Sequence, residues 1–159
     1  MQLFILDADP RSAARMLCDK HLRKMCLETA QILSSVLFNQ GKTILPGMPK
    51  PYNPGHPVIM AVNTLSKINW VLLYNSALHR EYKYRFNKDH AYKTLSGQYI
   101  QLLYQPDVPC GDLSFALAFK EFTSQSSDPV KAYREYYCHK KKLLCNFVYT
   151  RRLAPNWLI

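Results

Sequence analysis

With 159 residues, 48% of them hydrophobic and 20% charged, the chain is long enough for one domain with a proper core, and no apolar run approaches the ~18 residues of a membrane span. Its formal net charge of +10 favours a polyanionic partner, a nucleotide or a nucleic acid, over an acidic or membrane-buried one. No lysine-rich tail holds that charge, so it lies on the folded body.

The opening Met-Gln-Leu-Phe-Ile-Leu-Asp is too short and too soon acidic for a signal peptide, so a cytoplasmic protein is expected. Residues 2–6 are apolar with β character, and Asp7-Ala-Asp-Pro ends them. Asp9 before Pro10 is a helix start, with a capping carboxylate and a proline suited to the first turn. The spacing predicts one helix over 11–38, stopped by Gly41. On it Cys18, Leu22, Met25, Cys26, Thr29, Ile32, Leu33 and Val36 fill a broad apolar arc. Beside the arc, His21, Lys24, Glu28 and Gln31 follow at spacings of three, four and three, with Lys20 at their edge. A surface helix places such groups opposite its core. Here they border it, which points to the wall of a site.

Residues 41–57 hold five of the ten prolines and form a structured loop that delivers His56 just before Pro57, where a helix can begin. A histidine there has its neutral form favoured and can face an anion, or it can simply cap. A second long helix is expected over 66–86, with Trp70, Tyr74, Glu81 and Arg85 on one side. Glu81 and Arg85 form an ion pair, exposed or half-buried. Asn87-Lys-Asp-His90 breaks this helix and leaves Lys88 and His90 in a loop. An amphipathic helix follows over 91–105, then a turn-rich crossing over 106–112. The apolar residues 115–122 read as core, helical or extended. Asp128-Pro129 starts the last helix, which carries Tyr133, Arg134, Tyr136, Tyr137 and lysines 140–142. Rings interleaved with cations suit a base stacked beside its phosphate, or else a tyrosine-rich packing face. The tail over 151–157 is expected to pack Trp157 onto the body. The fold class is therefore mainly α: a compact single-domain helical fold over 1–159 with a short N-terminal β segment.

Five cysteines (18, 26, 110, 138 and 145) form no CxxC pair and read as reduced core thiols. Walker A, GxGxxG, GxSxG and HExxH signatures are absent. The five histidines (21, 56, 79, 90 and 139) lack ligand spacing, so neither a metal nor another cofactor is expected. What remains is chemistry by separate segments. His21, His56 and His90 could act as acid and base, with Lys20, Lys24 or Arg85 meeting phosphoryl charge, in a metal-independent phosphodiesterase on a substrate such as a cyclic dinucleotide immune signal. The same residues would serve a protein that only sequesters a nucleotide. A third chemistry is glycosidic cleavage on DNA, in which an amine attacks the sugar carbon with carboxylate help; Lys20 or Lys24 beside Glu28 supplies such a pair. The catalytic candidates are thus His21, His56, His90, Lys24 and Glu28. The ligand-binding candidates are Lys20, Gln31, Trp70, Glu81, Arg85, Lys88, Tyr133, Arg134 and Tyr137. The oligomeric state, a homo-oligomer included, is left open.

Leu-Asp-x-Asp-Pro (6–10), Cys-Asp-Lys-His (18–21) with Lys24, Glu28 and Gln31, His-Pro (56–57), Asn-Trp (69–70), Glu-Tyr-x-x-Arg (81–85) with Lys88 and His90, Ala-Tyr-Arg-x-Tyr-Tyr (132–137) and Pro-x-Trp (155–157) resemble a family of short phage and large-virus proteins. That resemblance implies a viral origin, hence the host cytoplasm, and that these motif residues form the site. Phage proteins that cleave or sequester cyclic nucleotide signals share the chain's size and charge. Gly55-His56 and the helix ending Glu-Tyr-Lys-Tyr-Arg-Phe-Asn (81–87) are similar to the phage pyrimidine-dimer DNA glycosylase family, mostly helical repair enzymes with a first helix in a similar place. Two departures stand out. Those enzymes use a processed N-terminal threonine amine, whereas Gln2 is a poor context for methionine removal. Their catalytic glutamate region corresponds to Asp19-Lys20-His21, which has no glutamate. The resemblance therefore implies a shared fold more than shared chemistry.

Overall fold

The computed structural model describes residues 1–117, 119, 121–144 and 147–158. Six helices lie among them: α1 Pro10–Met16, α2 Asp19–Asn39, α3 Pro57–Met60, α4 Leu65–Phe86, α5 Leu95–Leu103 and α6 Pro129–Leu144. No strand occurs among the described residues, and no helix among them is long and apolar enough to cross a membrane.

The expected β segment is corrected. Residues 2–6 form no strand: Leu3, Ile5 and Leu6 are fully buried, and Phe4 turns the backbone into the left-handed region at φ 50°. Carbonyls of this segment accept from donors other than a ladder partner. Leu6 N–H donates to Phe4 O (2.8 Å), and Leu6 O accepts from Arg134 Nε (2.8 Å). An apolar run without alternation marks burial on all sides, and here a threaded core segment satisfies it.

The single helix expected over 11–38 is two. Asp9 caps α1 by accepting the Ser12 N–H (2.9 Å), but Leu17 and Cys18 are extended, with ψ of 140° and 161°. Five of the backbone groups freed by this break have distant partners. Cys18 N–H donates to the Tyr137 hydroxyl (2.8 Å) and Asp19 N–H to Val148 O (2.8 Å). The carbonyls of Arg15, Met16 and Leu17 accept from Arg85 Nη2, the Tyr149 hydroxyl and Arg85 Nη1 at 2.8, 3.2 and 2.7 Å.

Helix α4 is the axis of the fold and packs against α1, α2 and α5. Thr64 caps its start through Lys67 N–H (3.3 Å), and Asn87, left-handed at φ 52°, ends it. A polar seam ties α2, α4 and α5 together: Asn75 donates to Thr29 Oγ1 (2.7 Å) and Ser96 donates to Asn75 Oδ1 (2.8 Å). Helix α5 is shorter than the expected 91–105 because residues 91–94 form turns. Around Phe115, which is buried, the chain is neither helical nor sheet-paired; residues 118 and 120 of that run lie outside the described residues. Trp157 is packed as expected, with the Arg134 guanidinium 5.2 Å from its ring. Cys18, Cys26, Cys110 and Cys138 are free thiols, and Cys145 lies outside the described residues.

Candidate active site

The α2 stripe carries the most unusual group in the fold. Glu28 keeps only 12% of its side chain exposed, and its Oε1 lies 3.2 Å from the Lys24 ammonium. Its Oε2 is buried with no hydrogen-bond partner among the described residues. A buried carboxylate oxygen without a partner costs about 1–3 kcal/mol or more, so folding alone does not account for it.

The 41–57 loop brings His56 near this carboxylate. His56 Nδ1 accepts the Val58 N–H (3.2 Å) at the start of α3. The ring is half-buried. Burial lowers its pKa, the α-amino group of Met1 lowers it further, and Glu28 opposes them. Met1, Glu28 and His56 therefore share one electrostatic neighbourhood. With Nδ1 occupied as acceptor, the neutral ring carries its proton on Nε2 and presents a donor.

His21 lies one side of this group, buried, stacked on Phe4 with ring centroids 4.8 Å apart. Its Nδ1 is 3.0 Å from the Tyr137 hydroxyl and 3.4 Å from Cys18 Sγ. Burial, and then the charges of Lys24, Lys20 and Lys140, pull its pKa down to about 4. The ring is neutral near pH 7 and too weakly basic to take a proton there. Those three lysines make a cationic rim beside it: Lys20 and Lys24 are exposed and Lys140 is half-buried. Arg23, two residues on from His21, turns to the other side of α2, its guanidinium 4.3 Å from the Phe86 ring centroid. The side chains of Lys141 and Lys142 lie outside the described residues.

Other sequence candidates are placed elsewhere. Arg85 is fully buried: its Nε donates to Glu81 Oε1 (2.7 Å), and Nη1 reaches Asp19 Oδ1 (3.0 Å) as well as Leu17 O. Glu81 is also gripped by Arg152 at 2.9 and 2.8 Å, and Asp19 accepts from the Thr150 hydroxyl (2.6 Å). The clasp encloses the Arg85 side chain completely, so Arg85 presents no donor to a ligand at the surface. Trp70 is fully buried and gives its N–H to Ala8 O (2.8 Å). Tyr133 is fully buried as well, its hydroxyl 3.3 Å from Ala116 O. Tyr137 supports His21 and the α1–α2 break. Arg134 holds Leu6 O and Asp7 (3.2 Å). Gln31 is half-buried one turn beyond Glu28, and Lys88 is exposed after α4. His90 keeps different company from His21, meeting His79 and Tyr82 at 5.6 and 5.0 Å between ring centroids.

Sequence reasoning passed over one feature. A cleft of about 240 Å³ is lined by Arg11, Arg15, Arg80, Arg152, Tyr84 and Glu81. Arg11 and Arg15, four apart on α1, were its legible signal; Arg80 and Arg152 come from distant parts of the chain. The cleft is not lined by Glu28, His56 or His21, so it offers phosphate contacts apart from the unpartnered carboxylate.

A family model described as pyrimidine dimer DNA glycosylase matches residues 1–94, the stretch that contains Met1, Glu28, His56, Glu81 and Arg85. No curated protein matches, and no solved structure does.

Proposed function

The chain belongs to the pyrimidine dimer DNA glycosylase family, and from that premise we propose that it cleaves a glycosidic bond on damaged duplex DNA, with an amine as nucleophile and Glu28 as the assisting carboxylate. The observation that carries this reading is Glu28 Oε2, buried and unpartnered among the described residues, beside His56, a ring that feels both Glu28 and the Met1 amine. We assign the attack to that α-amine in preference to Lys24. Lys24, exposed and paired with Glu28 (3.2 Å), is better placed to hold a phosphate.

In this mechanism the lesion nucleotide leaves the base stack. The neutral amine attacks C1′, the bond from C1′ to the base nitrogen breaks, and the base leaves with the bonding pair. Glu28 stabilises the positive charge that develops on the sugar and accepts a proton from the new ammonium; the C1′–O4′ bond then breaks as the nitrogen lone pair forms C=N, O4′ takes a proton, and the resulting imine is what borohydride reduces. His56 Nε2–H is a donor for the departing base or an adjacent phosphate. Lys20, Lys24 and Lys140 meet the backbone charge. The phosphodiesterase and the cyclic dinucleotide have no support from the family, and His21, at about 4, is a poor base for that reaction.

The test is a borohydride trap on duplex DNA carrying one cyclobutane pyrimidine dimer. A single covalent adduct is expected, on the N-terminal peptide, and retained in Lys24→Gln. Glu28→Gln should slow cleavage by roughly 10²–10⁴-fold while binding persists. Folded protein that traps nothing on dimer or abasic duplexes would overturn the assignment.

A further inference from the structure

We propose that Cys26, His79 and His90 form a binding site for a zinc-type divalent cation. The three come from α2, α4 and the loop after α4, and their ligating atoms lie within 4.8 Å of one another. Zinc bound by one sulfur and two nitrogens at about 2.0–2.3 Å holds its ligands roughly 3.3–3.8 Å apart. The group therefore needs to close by about 1 Å, a side-chain adjustment.

A second observation points to a ligand independently. His79 is 3% exposed, and neither of its ring nitrogens has a hydrogen-bond partner among the described residues. A neutral imidazole always presents one donor and one acceptor, so burying both unpaired is costly. A cation on one nitrogen removes the unpaired acceptor. Cys26 is fully buried beside it, and its thiol proton would leave on binding. Sulfur with two imidazoles is the donor set of a zinc site that keeps a fourth position open. Asp89, the nearest acid in sequence, is engaged by Lys93 and Lys83 at 3.0 and 3.6 Å, so the ligand set is these three residues.

One hydrogen bond would be given up. His90 Nδ1 accepts the Tyr92 N–H at 3.3 Å; ligation through Nε2 moves the ring proton to Nδ1 and replaces that long contact. The bound ion would tie α2 to α4 two residues from Glu28, and so fix the carboxylate from behind.

The experiment is a cobalt(II) titration of the whole chain after chelator treatment, followed in the near ultraviolet and visible. One equivalent should bind, with a thiolate-to-cobalt charge-transfer band that zinc abolishes by competition. Zinc should also raise the midpoint of thermal unfolding. Cys26→Ser should lose the band, and His90→Ala, at a half-buried loop position that leaves the core intact, should weaken binding by at least about tenfold. Folded wild-type protein that shows no band overturns the site, and so does binding unchanged in both variants.

Discussion

Arg85 is the residue on which the most distant parts of the chain depend. Its guanidinium joins α4 to the carbonyls of Arg15 and Leu17 and to Asp19, while Glu81, one turn back, is shared with Arg152 near the end of the described chain. The Glu81 to Arg85 spacing was legible as an ion pair, but its burial was not, because the groups that satisfy it lie about 70 residues away in both directions. A buried charge that loses its partner is destabilising by about 3–5 kcal/mol. Arg85→Met leaves Glu81 with Arg152 alone and strips Asp19 of its cation. Unfolding in guanidinium chloride should show a loss of that size. A loss under about 1 kcal/mol would mean the network behaves as an exposed surface pair.

At the scale of elements, helices with local punctuation were readable. Asp9-Pro10 starts α1 and Asp128-Pro129 starts α6, and α4 keeps nearly the bounds that its pattern gave. The break at Leu17 and Cys18 was not readable, since no glycine or proline marks it. Its cause is tertiary: Tyr137, Val148, Tyr149 and Arg85 offer the freed backbone groups better partners than another helical turn would. The N-terminal segment departs from the expected strand for the same kind of reason, its carbonyls being met by Arg134 and by the Leu6 N–H instead of a ladder. If Tyr137 holds the break, Tyr137→Phe leaves the Cys18 N–H without its acceptor and removes the group 3.0 Å from His21 Nδ1. The expected cost is about 1–3 kcal/mol. Amide exchange at Cys18 and Asp19 should quicken more than exchange within α4; uniform change across both would place the effect elsewhere.

For the whole molecule, the candidate site was legible where it is local. Glu28 and His56 could be named from one helix stripe and one His-Pro step. The grouping of Cys26, His79 and His90 could not, because it joins three segments that only the packing of α2 on α4 brings together. The same packing buries titratable groups, and this gives the molecule its response to acid. Burial first, and then Lys24, Lys20 and Lys140, lower His21 from 6.5 to about 4. Between those values the unfolded chain binds a proton that the folded chain refuses. Stability from this ring is therefore complete above about pH 6.5 and is lost as the pH falls toward 4, on the order of 3 kcal/mol in all. Asp19 and Glu81 act lower on the scale. Burial works against their charge, but hydrogen bonds from Thr150 and Arg85 to Asp19, and from Arg152 and Arg85 to Glu81, outweigh it and hold both carboxyls below their ordinary values. Their contribution stands above the ordinary carboxylate range and goes as the pH drops through the lowered one. Urea unfolding measured at steps from pH 7 to pH 4 should show stability falling throughout, before the carboxylates titrate. His21→Phe, which keeps a ring against Phe4 and cannot ionise, should flatten that slope relative to the wild type. Equal slopes in the two proteins would show that His21 titrates in the folded chain as it does in water.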